Sequence, residues 1–226
     1  MNRESNSYTI IYASVMVVLV ALLLAITSES LRSFQKENEA NDKRRQILRS
    51  VNVPVSGAGT VIKYNELIRE SFLVNDKGQK VEGDAFNVDV AKMFTESKFP
   101  VFVANIDGES KYILAMYGAG LWGPVWGYIS MNDDGKKIFG TDFSHQGETP
   151  GLGAEIATRG FSSRFSGKCL FQNGQFTSIA IVKPGKSVQG KDYVDGITGG
   201  TITSAGIDRM IQQSLEHYVE FLKTLK

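Results

Sequence analysis

The hydropathy pattern opens on twenty residues without a charge, Tyr8 to Thr27 (YTIIYASVMVVLVALLLAIT). A helix rising about 1.5 Å per residue crosses a hydrocarbon core of roughly 30 Å over that length. Tyr8 and Tyr12 fall near one end, where aromatic rings favour the membrane interface. A cleaved signal has an apolar region of roughly 7–15 residues behind a basic start, and here only Arg3 and the amino terminus are positive. Residues 8–27 are therefore predicted to be an uncleaved transmembrane helix in a lipid bilayer, behind a tail of residues 1–7.

The pattern then turns polar. From Ser28 to Ser50 the only large apolar residues are Leu31, Phe34, Ile47 and Leu48. This predicts a solvated, charged helical spacer that docks loosely at its far end. SVNVPVSGAGT ends it, because Pro54, Gly57 and Gly59 do not continue a helix comfortably. Residues 28–60 thus read as spacer and linker, and a second amphipathic helix is expected over Val61 to Leu73.

From there β-branched and aromatic runs alternate with turn signals. FPVFVANIDGESKYILAMYG places Asp107-Gly108 between two strands, GPVWGYISMNDDGKKIFGTDFS does the same with Asp134-Gly135, and KCLFQNGQFTSIAIVKPG with Asn173-Gly174. The last predicts a strand from Phe176 to Lys183. Ile207, Met210, Ile211, Leu215, Tyr218 and Leu222 recur at three- and four-residue spacing, the apolar face of a helix packed on the sheet. Residues 61–226 are expected to form one α+β domain, an antiparallel sheet with flanking helices.

Charge and composition act mainly by exclusion. The 25 basic and 24 acidic side chains lack the basic excess of a nucleic-acid binder. The lone cysteine, Cys169, excludes an internal disulfide and reads as apolar filler. His145 and His217 are unpaired and sit in no HExxH or CxxC frame, so no metal site is expected. No G-x-S-x-G elbow appears, and GETPGLG opens no amphipathic helix as a dinucleotide fold requires. After the span come Arg32, Lys36, Lys43, Arg44, Arg45 and Arg49, which the positive-inside rule places in the cytoplasm. Long domains translocate largely regardless of such charge, so the sequence leaves the side open.

Three stretches stand apart. YGAGLWGPVWGY combines glycines with Leu121, Trp122, Trp126 and tyrosines, suited either to stacking on a flat ligand or to a bulged aromatic sheet. HQGETPGLG sets Glu148 and Thr149 before Pro150 and is expected to offer exposed backbone N–H groups from Gly151 through Leu152 to Gly153. DGITGGTITSAGI gathers Thr198, Gly199 and Thr201 at the mouth of a helix expected to start near Ser204, a setting for a bound phosphate.

Together, the anchor, the spacer, FPVFV…YGAGLW, GETPGLG and DGITGGTITS resemble the NqrC family of the sodium-translocating NADH:quinone oxidoreductases, with its FMN-binding domain. The resemblance implies FMN joined by a phosphodiester to the last threonine of a D-G-x-(S/T)-G-A-T pattern, which falls on Thr201. Gly200 stands where alanine is usual. It further implies a domain on the periplasmic side of a bacterial inner membrane, partner subunits of the same complex, and a flavin transferase during maturation. The flavin is expected to rest against GLW and the GETPGLG loop, with Trp122 or Leu121 and Leu152 supplying apolar contact and Lys168 or Lys183 at its pyrimidine side. Thr203 and Ser204 are expected as turn and cap residues. The flavin carries the redox chemistry, so no side chain is assigned a catalytic role. The flavin-carrying subunit of the related Rnf electron-transport complex is the nearest alternative, and YGAGLW and the long spacer favour the NqrC family. A membrane-anchored flavoprotein outside any redox circuit is the other.

Overall fold

The structure, a computed structural model, describes residues 6–57 and 59–225. Its first element is one helix, α1 (Asn6–Ser50), long and apolar enough near its start to cross a membrane, and unburied there. The chain divides into two units, one ending at Lys43 and one beginning at Arg44. The second therefore takes in the last turns of α1, within the expected spacer. Docking there is firm, since Ile47 and Leu48 are wholly buried.

Helix α1 ends before Pro54. Asn52 adopts a left-handed φ of 60°, and the Val53 N–H reaches Leu48 O at 3.0 Å while the Asn52 N–H reaches Arg49 O at 3.0 Å. That pairing satisfies the helix's last carbonyls. Gly59, expected as a breaker, opens the next helix, α2 (Gly59–Leu67).

The expected helix over 61–73 is half right. It stops at Leu67, and residues 68–74 form strand β1 (Ile68–Val74). Strand β3 (Phe99–Ile106) explains the switch. With β1 extended, Phe72, Leu73 and Val74 pair with Val101, Pro100 and Phe99; a helix would leave that edge of β3 bare. Between them lie β2 (Lys80–Val81) and a single helical turn, α3 (Met93–Glu96).

The sheet is antiparallel and six-stranded, in the order β2-β1-β3-β4-β5-β6, where β4 is Glu109–Ala119, β5 Pro124–Met131 and β6 Ile138–His145. The first two turn signals sit where expected. Asp107 and Gly108 both take positive φ in the tight β3–β4 turn, and Gly135 does so between β5 and β6. The third signal makes a hairpin outside the main sheet, β7 (Phe171–Gln172) with β8 (Gln175–Phe176). The strand expected from Phe176 to Lys183 is broken, because Ser178 turns to φ 58° and the Thr177 and Ser178 N–H groups both reach Leu170 O. Beyond that break, β9 (Ala180–Val182) pairs in parallel with β10 (Tyr193–Asp195). A short helix, α4 (Arg159–Ser162), lies between β6 and β7.

The predicted apolar helix face is split between α5 (Thr201–Glu216) and α6 (Val219–Thr224). Ile207, Met210, Ile211, Leu215 and Tyr218 are all fully buried. The Tyr218 hydroxyl lies against Pro100 O (3.1 Å) and Ala115 O (3.3 Å). Close approach of α5 to β4 needs glycine. A Cβ on Gly118 would fall 2.7 Å from Met210 Cβ, and one on Gly206 would fall 2.5 Å from Ala119 O.

The last turns of α1 are fixed to β5 and β6. Trp126 Nε1 donates to Gln46 Oε1 at 3.0 Å and Ser130 Oγ to Ser50 O at 2.6 Å. Arg49 pairs with Asp142 at 2.9 Å. Burial pushes the Asp142 carboxyl up to about 6, against the pull of Arg49. A carboxyl raised in the fold favours folding when protonated, so this contribution is lost as pH rises from about 4 to about 6. Melting curves of the wild type and Asp142→Asn across that window should diverge, the wild type losing stability with rising pH and the variant lacking that loss.

Candidate functional site

The DGITGGT loop joins β10 to α5, and its shape is set by its own backbone. The Gly196 N–H donates to Val182 O (2.8 Å), Ile197 N–H to Ser204 Oγ (2.9 Å), and Gly200 N–H to Ile197 O (3.0 Å). Gly199 turns with φ 78° beneath Leu152, whose Cδ2 would lie 2.7 Å from a Cβ there. Helix α5 begins at Thr201, three residues before the expected Ser204, with Gly200 as its cap. The first intrahelical donor is the Ser204 N–H, which reaches Gly200 O at 2.8 Å. The N–H groups of Thr201, Ile202 and Thr203 precede it and belong to the positive end of the helix. Thr201 itself is exposed.

Ser204 serves the turn, as expected of it. Thr203 does not. It is buried, and its hydroxyl donates to Glu148 Oε2 at 2.5 Å. The other oxygen of that carboxylate accepts the N–H groups of Leu121 (2.7 Å) and Trp122 (3.0 Å). The Glu148 N–H in turn donates to His145 Nδ1 at 3.2 Å. One buried carboxylate thus ties the YGAGLW loop, the GETPGLG loop and the start of α5 together. Burial raises its affinity for a proton, but the Thr203 hydroxyl and the Trp122 and Leu121 N–H groups outweigh that and hold the carboxyl below its usual range.

The glycines around it make room for the carboxylate. A Cβ on Gly120 would sit 2.3 Å from Glu148 Oε1, and one on Gly153 2.3 Å from Oε2 and 2.5 Å from Thr203 Oγ1. The G-x-G spacing in YGAG therefore serves Met210 and Glu148.

Thr201 lies in the lining of a cleft of about 390 Å3, with Leu121, Trp122, Glu148, Thr149, Leu152, Gly153, Gly199 and Ile202. Four of its large apolar side chains are exposed: Leu121 at 45%, Trp122 at 68%, Leu152 at 43% and Ile202 at 55%. An apolar platform of this kind around one hydroxyl is what a flat, partly apolar ligand covers. Of the predicted site residues, Thr198 lies outside this cleft and lines a neighbouring one of about 430 Å3 with Asp195 and Arg164. Lys183 shares a crevice of about 190 Å3 with Thr201 and Ser204. Lys168 borders none of the three; its ammonium lies 5.9 Å from the centroid of the Tyr193 ring.

At Gly200, φ is −108°, open to any residue, and a Cβ would meet Ile197 at 3.1 Å. Alanine there asks for a shift of a few tenths of an ångström. Sequence reasoning placed Thr203 in the turn and missed its bond to Glu148. Thr203 was within reach: a helix begun at Thr201 puts it four residues before Ile207, on the buried face, where a hydroxyl needs a partner.

Glu148→Ala strands two N–H groups and one hydroxyl, and should lower unfolding stability by about 2–4 kcal/mol in urea titrations. Glu148→Gln, which keeps an acceptor for the N–H pair, should lose roughly half as much. A carboxyl lowered in the fold stabilises above its unfolded value and loses that stabilisation as pH falls through it. The gap between wild type and Glu148→Gln should therefore narrow in acid.

A family model for the FMN-binding domain matches residues 120–216, which contain every part of this cleft. The crystal structure of the Na(+)-translocating NADH-quinone reductase C-subunit from Parabacteroides distasonis ATCC 8503 superposes with a TM-score of 0.85. It is 64% identical, and the match covers 87% of this chain and 98% of that one. The corresponding protein of Vibrio vulnificus (strain YJ016) is 28% identical over 211 residues, covering 84% of this chain and 83% of its own. Shewanella oneidensis NqrC, 23% identical with a TM-score of 0.71 over 83% of this chain and 98% of its own, shares the fold. The chain belongs to the NqrC family of the Na(+)-translocating NADH-quinone reductases.

Proposed function

We propose that this chain is the FMN-carrying, electron-relay subunit of a sodium-translocating NADH:quinone reductase in a bacterial inner membrane, with FMN held on Thr201 as a phosphodiester. The observation that carries this reading is the exposed threonine at the first position of α5, in a cleft walled by exposed Leu121, Trp122, Leu152 and Ile202. The names of the relatives supply the complex, and its other subunits are the partners.

The residues fit the group. The start of α5 offers backbone donors and a favourable dipole, about 0.3–1 kcal/mol, to one phosphate charge. Leu121, Trp122 and Leu152 present exposed apolar surface on which a ring system can rest. Thr149 and Gly153 line the same cleft, and Lys183 lines the neighbouring crevice that Thr201 also borders. Glu148 acts one step back: both oxygens are engaged by the protein, so it fixes the walls. FMN, when bound, supplies the one- and two-electron chemistry. No proton transfer is required of a side chain.

Flavin fluorescence on a denaturing gel tests the attachment. Wild type from a host able to install the cofactor should fluoresce, Thr201→Ala should not, and peptide mapping of residues 195–209 should find the added FMN. A colourless wild-type band sinks the reading. For the membrane side, the family resemblance supports a periplasmic domain on an anchor formed by α1. Proteolysis of intact spheroplasts should digest the domain; protection would place it in the cytoplasm, as the count of basic residues suggests.

A further inference from the structure

The cleft of about 430 Å3 beside Thr198 stands apart from the apolar platform at Thr201. Its notable member is Arg164, on the single turn Ser163–Phe165 and 31 residues ahead of Asp195. Its guanidinium reaches the attachment loop from outside. Nη1 donates to Asp195 O at 2.7 Å and lies 3.4 Å from Gly196 O, and Nε donates to Gly160 O at 3.2 Å. The group also stands 5.5 Å from the centroid of the Phe161 ring. Phe161 is wholly buried and packs against Phe143 and Phe165, with ring centroids 5.6 and 5.4 Å away. Arg164 therefore bridges a rigid aromatic cluster and the first two carbonyls of the loop that ends in Thr201.

Stability gives little reason for the bridge. Arg164 and Asp195 are exposed, so water can serve the Asp195 carbonyl almost as well, and the net gain to the fold is small. The Gly196 and Ile197 N–H groups are already held, by Val182 O and Ser204 Oγ. What the arginine adds is a single orientation of the Asp195–Gly196 segment relative to the β6–α4 side of the domain.

We propose that Arg164 is a positioning residue for modification at Thr201; this rests on the reading that Thr201 is the FMN acceptor. In that transfer Thr201 Oγ1 forms a bond to the phosphorus of a flavin nucleotide. The phosphoanhydride to the leaving nucleotide breaks, and the hydroxyl proton passes to a base of the transferase. The transferase must seat the loop with Oγ1 in line with that anhydride. A loop already held by Arg164 has less freedom to lose on docking, so the bridge acts on recognition.

The test is flavinylation of the full chain, in detergent, by a flavin transferase and its flavin dinucleotide donor. Arg164→Ala should raise the KM for the chain about tenfold with kcat little changed, while its melting temperature stays within about 2 °C of wild type. Arg164→Lys, which keeps a cationic donor for the Asp195 carbonyl, should recover most of the loss. Unchanged kinetics in Arg164→Ala overturns the proposal, as does a fall in labelling that tracks a fall in melting temperature and is not restored by lysine. A wild-type chain that takes no label at Thr201 removes the acceptor reading itself, a separate failure.

Discussion

One buried carboxylate holds the site together. Glu148 comes from the loop after β6, yet it closes the loop after β4 through two N–H groups and the first turn of α5 through a hydroxyl. Two segments far apart in sequence converge on its two oxygens. An ionised group is stable in such a place because every bond it receives is stronger in the charged form. The same bonds fix the positions of Leu121, Trp122 and Thr201 relative to one another.

That constraint reaches into the packing. Gly120 and Gly153 are required because the carboxylate fills the space a side chain would use, while Gly118 and Gly206 let α5 lie close on β4. Two glycines and one threonine are thus tied to a single acid. Replacing Gly120 should disturb the cleft from behind, because it meets Glu148 and does not line the cleft.

The fold was legible where local signals agreed. The Asp107-Gly108 and Asp134-Gly135 turns fixed four strands, and the helical spacing from Ile207 to Leu222 fixed the layer beneath them. It was misread where tertiary pairing overrode pattern: residues 68–74 carry a helix-like face but complete the edge of β3, and Ser178 breaks what reads as one strand. The candidate site was legible in its composition, since the three unusual stretches do meet. Its wiring was less so. Glycines near aromatic residues suggested space for a ligand, because nothing in a linear sequence shows that Glu148 will lie between Gly120 and Gly153. Arg164 carried no motif at all; only the chain's return past α4 brings it to the loop.

A cleft walled by side chains that remain 43–68% exposed cannot enclose a ligand. Tight non-covalent binding sites bury most of a ligand's surface, so the platform alone would hold a flavin weakly and release it readily. Under the proposed attachment, a bond at Thr201 makes retention independent of burial, because the tether keeps the local concentration high whatever the intrinsic affinity. Shallow walls then become useful, leaving an edge of the ring system near the surface, where a neighbouring redox centre can approach. The parts left for the protein are those the structure supplies: a rigid platform, an ordered loop, and a carboxylate that keeps both in register.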